Sequence, residues 1–343
     1  MKNKELFQLL EKSRTISIFT HVSPDPDAVA SGLLTYRFIK NNFKDKDIIF
    51  NIEGGVSSHY SFLKGFQDIS DRNTFEFLQT RMSDLVIIVD ANNYRNLSRN
   101  DEVKIREFVQ SKNIKTVIID NHPGTYKDNS DIYINNNSSS AAEEIFRIFT
   151  EDFEFKLFDG AAEAAMFGIL ADTNRFLYNN SNHRETFKVV SKLLDEGVSI
   201  EALWNKIYVL KKNHALVIAE LLKNIRGEND FNYSYVSDDF AKEFVKKGGD
   251  WDTFSDAFYI FVDQYIRYIE GNVWGFAIIP DFSNNNSEYR GAFRALNDYI
   301  DTSVFAREFG GGGYKSASGF SIKSKNDNEA LQKVKDAIKR LRN

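Results

Sequence analysis

The sequence predicts an α/β protein with a doubly wound, mostly parallel sheet, joined by a connecting helix to a smaller α+β domain. The first half alternates short apolar runs with helical patterns, which is typical of such a sheet. Several runs are apolar on both faces, as buried parallel strands are. After about residue 230 the pattern becomes mostly β, and 343 residues suffice for two cores. We therefore predict domains at 1–195 and 229–343, with a helical linker at 196–228.

The first domain is predicted to contain five strands, in the segments TISIFT, DIIFNIE, DLVIIVDA, KTVIIDN and DIYINN. Helical patterns lie between them at 28–40, 101–111 and 141–150, and the Ala-rich segment 159–172 is rich in strong helix formers. The opening MKNKELFQLLEKS is charged and amphipathic and lacks a long apolar run, so it predicts a first helix rather than a signal peptide.

The second half begins with two helical patterns, HRETFKVVSKLLDEG and SIEALWNKIYVLKKNHALVIAELLKNI, and the second is predicted to be the connecting helix. Strands are predicted in FNYSYVS, VWGFAIIPDF, YRGAFRAL and ASGFSI. Helices are expected at 236–248 and in the closing segment NEALQKVKDAIKRL, and the aromatic-rich region 251–276 is expected to be core.

The composition limits the ligands and partners of this protein. A net charge of −5 argues against the broad basic surface that duplex DNA requires. The chain has no cysteine, so any metal must bind to histidine, carboxylate or amide groups. No apolar run is long enough to span a bilayer, and we expect a cytoplasmic protein with no membrane partner.

Acidic residues and histidines follow the predicted strands at the points where the strands end. They are His21, Asp25 and Asp27 after the first strand, Asp90 after DLVIIV, Asp120, Asn121 and His122 after TVII, and Asp172 at the end of the Ala-rich helix. One such residue is routine at a strand end or a helix cap. Because the carboxyl ends of parallel strands meet at one sheet edge, four such groups predict a site there.

This donor set suits a pair of hard or borderline divalent ions, with Mn²⁺ expected and Mg²⁺ as the alternative. One carboxylate that bridges two ions would hold a hydroxide between them and clamp a phosphoryl oxygen. The residues therefore favour a dinuclear metal centre.

Four segments, HVSPDPDA, IIVDANN, IIDNHPG and GILADTNRF, resemble the motifs of the DHH phosphoesterase superfamily in order and separation. REFGGGGYKSASGF, at 307–320, resembles the glycine-rich motif of the DHHA1 domain that follows in many members. HVSPDPDA and DTNRFLY are most similar to the branch of nano-RNases and pAp phosphatases. That branch trims very short RNA and dephosphorylates 3′-phosphoadenosine 5′-phosphate (pAp). The resemblance covers nearly the whole chain.

The resemblance also implies roles for individual residues. One ion would be held by His21, Asp25 and Asp90, and the other by Asp27, Asp90 and Asp172, with Asp90 as the bridge. Asn121 would join the second set, His122 would contact the scissile phosphate, and Asp120 would orient the loop. In the second domain, Arg294 matches the substrate-binding arginine of the family.

Two positions depart from the family pattern, which has a histidine at each. Asn121 offers an amide oxygen, a weaker ligand than imidazole for a borderline ion. Tyr314 can bond to a phosphate or stack on a base, but it carries no positive charge at neutral pH. These departures bear on ion preference and on substrate preference.

Further substrate contacts are expected around the glycine run. The backbone N–H groups of Gly311, Gly312 and Gly313 are candidates for cradling an anion. GGGGYKS is not a P-loop, because Tyr314 rather than glycine precedes the lysine. Arg290 and Arg175 are additional candidates for contacting phosphate.

The leading hypothesis is a divalent-metal-dependent phosphoesterase that hydrolyses short RNA oligonucleotides to mononucleotides, pAp to AMP, or both. Its expected partners are short single-stranded RNA or small nucleotides, and a homodimer is compatible with the resemblance. One alternative is a phosphodiesterase acting on c-di-AMP or pApA. Another is a weakened relative that binds nucleotide without turnover, although such a protein has little reason to keep four mutually repelling carboxylates.

Overall fold

The computed structural model describes residues 2–122, 130–177, 183–207, 210–283, 288–296 and 299–342. Pro123, Gly124 and Tyr178, which belong to the predicted motifs, lie outside the described residues. The chain forms two compact units, Met1–Tyr208 and Val209–Asn343, called here the first and the second unit.

The first unit is built on a five-stranded sheet in which all neighbouring strands are parallel. Its strands are β1 (Thr15–Phe19), β2 (Asp47–Asn51), β3 (Leu85–Val89), β4 (Lys115–Ile119) and β5 (Ile132–Ile134). Their order is β2-β1-β3-β4-β5. The connections after β1 and after β3 therefore run in opposite directions, which opens a crevice beyond the carboxyl ends of these two strands.

Helices cover both faces of this sheet. They are α1 (Lys2–Lys12), α2 (Pro26–Asn42), α3 (Thr74–Arg81), α4 (Glu102–Ser111), α5 (Ala141–Arg147), α6 (Ala161–Asp172), α7 (His183–Asp195) and α8 (Ile200–Ile207). Short 3₁₀ helices occupy Ser58–Tyr60, Phe66–Asp68 and Tyr94–Leu97, and a π-helical turn, Ile148–Asp152, extends α5. Along β3, Ile87 joins the apolar core on one face and Ile88 the core on the other. The continuous run LVIIV is therefore buried on both faces, as predicted.

The second unit contains a six-stranded mixed sheet. Its strands are β6 (Arg226–Glu228), β7 (Phe231–Tyr235), β8 (Trp274–Asp281), β9 (Glu288–Ala295), β10 (Gly312–Gly313) and β11 (Ala317–Lys323), in the order β10-β11-β9-β8-β7-β6. Among the described strand pairs of this sheet, β7–β8 is parallel and the others are antiparallel. The helices are α9 (Lys212–Lys223), α10 (Asp238–Lys246), α11 (Trp251–Gln264), α12 (Thr302–Arg307) and α13 (Asp327–Arg342). The predicted fold class, a parallel α/β sheet followed by a smaller α+β unit, is confirmed.

Local differences from the predicted elements have local causes. The segment expected to form one connecting helix forms α8 and α9, and residues 210 and 211 are not helical. Lys211 is extended (φ −65°, ψ 154°), and its N–H donates to Nδ1 of His214 at 3.2 Å, which starts a new helix. α11 was not predicted, although Asp250 accepts from the Thr253 N–H as an N-cap.

No helix in the described parts of the chain combines the length and the apolar character needed to cross a bilayer.

Candidate metal centre

The segment HVSPDPDA forms the turn between β1 and α2, and hydrogen bonds fix its shape. Asp25 is the N-cap of α2, accepting from the Ala28 N–H at 3.0 Å, and Pro26 occupies the first turn. The Nδ1–H of His21 donates to its neighbour's carbonyl, that of Val22, at 3.1 Å. This bond directs Nε2 toward Oδ1 of Asp25 at 3.9 Å and Oδ2 of Asp90 at 3.6 Å. The imidazole therefore presents one nitrogen to a group of carboxylates.

Asp90 lies at the centre of the site, directly after β3. Its carboxylate belongs to two clusters whose potential ligand atoms lie within 4.8 Å of one another, one with His21 and Asp25 and one with Asp120 and His122. It is 2 % exposed, and its Oδ2 has no hydrogen-bond partner among the described residues. Its backbone is left-handed (φ +51°), a strained conformation for a non-glycine residue that is often found at functional sites.

Asp120 and His122 follow β4 and form the other side of the centre. The Nδ1–H of His122 donates to Oδ1 of Asp120 at 2.7 Å and lies 3.5 Å from Oδ1 of Asp90. Burial disfavours the imidazolium, but the bond to Asp120 and the charges of Asp90 and Asp120 outweigh it and raise the pKa of His122 to about 9. Without metal, His122 is therefore cationic at neutral pH.

Asp27, in the first turn of α2, is bound by the start of α5. Its Oδ2 accepts from the Ala141 N–H at 2.7 Å and its Oδ1 from the Ala142 N–H at 3.0 Å. A helix N-terminus favours a negative charge in this position. Gly168 of α6 makes room for this contact, since a Cβ there would lie 2.4 Å from Oδ1 of Asp27.

Asp172 ends α6 and is bound by Asn121. The Asn121 Nδ2–H donates to Oδ2 of Asp172 at 2.6 Å and to the Ser139 carbonyl at 3.4 Å. The amide oxygen of Asn121 is buried without a hydrogen-bond partner among the described residues. Asn121 thus serves first as a donor to Asp172 here, and its predicted role as a metal ligand stays a prediction.

Three of these carboxylates carry a large electrostatic cost. Burial and then repulsion from the neighbouring carboxylates raise the pKa of Asp27 and of Asp90 well above the usual range. Burial and the charge of Asp25 raise the pKa of Asp172 to about 6, although the Asn121 bond opposes the shift. The charges of these three carboxylates act on one another, so the structure brings them together at one edge of the sheet.

The residues present fit a divalent-ion site. The donors are carboxylate oxygens and imidazole nitrogens, which Mn²⁺ and Mg²⁺ sites use. The buried Oδ2 atoms of Asp90 and Asp120 have no hydrogen-bond partner among the described residues, and such atoms are costly unless a cation neutralises them. His21, Asp25 and Asp90 offer one set. Asp90, Asp120 and His122 form a second cluster, in which His122 could bind an ion only after Nδ1 loses its proton. Asp27 and Asp172 belong to neither set, and their predicted role as ligands stays a prediction.

The candidate arginines of the second unit are held by acidic partners. Arg294 Nε donates to Oδ1 of Asp263 at 2.6 Å, and its Nη1 donates to the Phe293 carbonyl. Arg290 Nη2 donates to Oδ2 of Asp281 at 3.1 Å, and its guanidinium lies over the Trp251 ring. In the first unit, the Arg175 guanidinium lies 4.8 Å from the centre of the Trp204 ring. Their predicted contacts with substrate stay predictions.

The glycine run forms the end of a helix and an edge strand. The Gly311 N–H donates to the Ala306 carbonyl at 2.9 Å, so it is not open to an anion here. Tyr314 and Ala317 exchange two backbone hydrogen bonds, so by the antiparallel alternation the Gly313 N–H points away from β11. Gly313 has φ +136°, and a Cβ there would lie 2.6 Å from the Ala317 carbonyl oxygen, so only glycine fits. The Tyr314 side chain is 54 % exposed.

Sequence reasoning missed the residues that surround the centre. In the sequence, helix capping accounts adequately for Glu143 and Glu144, but both are buried and accept hydrogen bonds from the segment 136–139. The nearest signal was the serine run SSS before two glutamates, which predicts a helix start but does not predict burial.

The fold and the site define the class of protein: an α/β protein with a candidate site for divalent ions at the carboxyl edge of its parallel sheet. Residues 15–169 match the family model described as DHH family, N-terminal domain. This stretch of the first unit is therefore similar to the N-terminal domain of the DHH family. The predicted resemblance and the predicted enzyme class are confirmed, whereas the DHHA1 assignment stays a prediction.

Relatives match along nearly the full chain. One is "Bifunctional oligoribonuclease and PAP phosphatase NrnA" of Bacillus subtilis, 27% identical over 323 residues, which cover 93% of each chain. A protein of the same name from Mycoplasma pneumoniae is 26% identical over 98% of this chain and 96% of that protein.

Among solved structures, an exopolyphosphatase-related protein from Bacteroides fragilis matches with a TM-score of 0.83 and 21% identity. The match covers 99% of this chain and 96% of that one. At this identity it supports the fold alone.

Replacing Gly168 with alanine tests the packing around Asp27. We expect Gly168→Ala to lower the free energy of unfolding by about 1–3 kcal/mol and to weaken Mn²⁺ binding, because the new methyl displaces the Asp27 carboxylate. Gly32→Ala is the matched control, since its methyl would strike the Phe50 ring and not a carboxylate. Calorimetric Mn²⁺ titration and denaturant unfolding measure both effects; equal Mn²⁺ affinities of the two variants would contradict the contact.

The raised pKa of Asp172 predicts a pH dependence of stability in EDTA. The folded pKa of about 6 exceeds the ordinary 3.8, so the folded state holds the proton more tightly and loses stability as pH rises from about 4 to above 6. At about 1.4 kcal/mol per pKa unit, the loss of stability is about 3 kcal/mol. Asp172→Asn should lose correspondingly less over this range. The free energy of unfolding of both proteins is measured by denaturant unfolding across this pH range. An equal change with pH in the wild type and in Asp172→Asn would show that Asp172 does not titrate in this way.

Proposed function

We propose that this protein uses two divalent ions to hydrolyse short RNA oligonucleotides to mononucleotides and pAp to AMP. The observation that carries the proposal is Asp90, a strained and buried carboxylate shared by two histidine–carboxylate clusters at the carboxyl edge of the parallel sheet. The names of the Bacillus and Mycoplasma relatives support the choice of substrates.

The first unit would supply the reacting site. His21, Asp25, Asp90 and the groups around them would hold the ions, with Mn²⁺ preferred to Mg²⁺. Bound divalent ions supply positive charge beside a phosphoryl oxygen and acidify water. The protein itself must hold the Asp90 carboxylate between the two clusters. Asp90 is buried, with His21 near one of its oxygens and His122 near the other, so the carboxylate is already in this position without a metal ion.

His122 would act on the phosphate through its remaining nitrogen. Asp120 holds Nδ1–H, the side chain is 28 % exposed, and we assign the other ring nitrogen, Nε2, to the substrate. In the metal-free protein, the raised pKa of His122 keeps a proton at Nε2 at neutral pH. That proton can be donated to a phosphate oxygen, while Asp120 stabilises the imidazolium.

The second unit would bind the rest of the substrate. We assign this role to Arg294, to the outward N–H of Gly313 and to the exposed Tyr314, which can stack on a base. Arg290 and Arg175 are further proposed contacts with phosphate. We propose short single strands rather than duplex DNA as substrates. Dimerisation and a cytoplasmic location stay predictions.

The alternatives are less well supported. The two relatives are named for RNA and pAp, and not for c-di-AMP or pApA. A binding protein without turnover does not explain why buried carboxylates with raised pKa values converge on one point.

A substrate panel tests the proposal. Product release would be followed from pAp, from RNAs of two to five nucleotides, from pApA and from c-di-AMP, each with Mn²⁺, Mg²⁺ or EDTA. We expect EDTA-sensitive release of mononucleotides from the RNAs and of phosphate from pAp. Cleavage confined to c-di-AMP or pApA would favour that alternative, and no cleavage at all would contradict the proposal.

Asp90→Asn should lower kcat by at least about a hundred-fold, because it removes charge from the carboxylate shared by both clusters. Asp84→Asn is the matched control at the opposite end of β3, where Asp84 accepts from the Arg14 and Thr15 N–H groups. Steady-state rates with pAp measure the effect. A rate for Asp90→Asn within a few-fold of that for Asp84→Asn would remove Asp90 from the mechanism.

Tyr314→His should change the ratio of kcat/KM values for pAp and short RNA, because it adds a titratable cationic group at an exposed position. Its Mn²⁺ dependence should stay that of the wild type. The competing substrates are compared under one set of conditions. An unchanged ratio would count against contact between Tyr314 and substrate.

A further inference from the structure

Two adjacent glutamates at the start of α5, Glu143 and Glu144, are 1 % and 2 % exposed. Burying a carboxylate is costly unless hydrogen bonds compensate it. Both receive such bonds from the short segment that precedes α5, but they receive them from different residues. The two glutamates therefore hold different parts of one loop.

Glu143 holds Ser139. One oxygen, Oε2, accepts from the Ser139 N–H at 3.0 Å, from the Ser139 hydroxyl, and from the Thr186 hydroxyl of α7 at 2.9 Å. Ser139 and Thr186 are each 1 % exposed, so these donors cannot turn to water instead. Without Glu143 the buried N–H and hydroxyl of Ser139 would lose this acceptor, at a cost that would move the loop.

Ser139 connects Glu143 to the metal centre in two ways. Its carbonyl accepts from the Asn121 amide, which donates at the same time to Asp172. Two residues further along the chain, the Ala141 N–H donates to Asp27. The position of Ser139 therefore determines where two hydrogen-bond donors lie, the one that binds Asp172 and the one that binds Asp27.

Glu144 provides a contrast in the same turn of helix. It accepts from the Ser138 hydroxyl and from the Asn136 amide. Neither donor bonds to a residue of the metal centre among the contacts described here. The two glutamates thus match in burial and chemistry. They differ in that the partner of Glu143 is hydrogen-bonded to the metal centre, whereas the described contacts of the Glu144 partners do not reach it.

We propose that Glu143 is a positioning residue for the metal centre: by fixing Ser139 it sets the Asn121 amide against Asp172 and the α5 backbone against Asp27. The inference rests on the metal-dependent function proposed above. Groups of this kind, which orient the residues around a metal, typically change metal affinity or activity ten- to a hundred-fold when they are removed.

The test measures Mn²⁺ affinity by calorimetric titration of the full chain. Glu143→Leu, which removes the acceptor and keeps the bulk, should weaken Mn²⁺ binding about ten-fold. Glu144→Leu should lower the melting temperature in EDTA to a similar extent but stay within about three-fold of wild-type affinity. Glu143→Gln keeps an acceptor oxygen and should restore most of the affinity lost in Glu143→Leu.

A second pair of variants, each of which removes a single hydroxyl, keeps the test valid if the leucine variants misfold. Ser139→Ala removes one donor to Glu143, and Ser138→Ala removes one donor to Glu144. We expect weaker Mn²⁺ binding for Ser139→Ala only. If the wild type binds Mn²⁺ but Glu143→Leu matches Glu144→Leu in Mn²⁺ affinity, and Ser139→Ala matches Ser138→Ala, the role of Glu143 is overturned. The proposed function would be unaffected by that result. A wild-type protein that binds no Mn²⁺ would overturn the proposed function as well.

Discussion

Asp27 and Asp90 are almost fully buried carboxylates, Asp172 beside them is half-buried, and the pKa of each is raised by burial and by its neighbours. Their repulsion is the constraint on which the first unit depends. Protein groups offset part of it: the N-terminus of α5 binds Asp27, and the Asn121 amide binds Asp172. Asp90 has the His122 imidazolium, 3.5 Å from its Oδ1, to oppose its charge. A cation at Asp90 would supply what the protein does not.

The parallel sheet explains why these groups meet. β1 and β3 are neighbours whose connections leave in opposite directions, so the chain after each strand turns into the same crevice. The strained backbone of Asp90 directs a side chain into that crevice directly after β3. α2, α5 and α6 then approach closely enough for Asp27 to reach the α5 backbone, an approach that requires glycine at 168. The packing that forms the fold therefore also places the carboxylates of the site.

Much of this arrangement could be predicted from the sequence, because its signals are local. Apolar runs such as LVIIV identify buried strands, and a polar residue at the end of each run identifies the sheet edge. What could not be predicted depends on distant contacts. Asp27 and Ala141 are 114 residues apart, and nothing near either one indicates their bond. The burial of Glu143 likewise depends on Thr186 of a separate helix. α11 was missed for another reason, since its many aromatic residues indicate a core equally well for a strand or a helix.

The central claim is that one carboxylate, Asp90, serves two ions at once. Electron paramagnetic resonance of the protein titrated with Mn²⁺ tests it most directly, because two ions that share a bridging ligand are magnetically coupled. The account predicts two bound ions per chain with a coupled spectrum in the wild type, and loss of the coupling in Asp90→Asn. A single uncoupled ion at saturation, or a coupled pair that persists in Asp90→Asn, would contradict it.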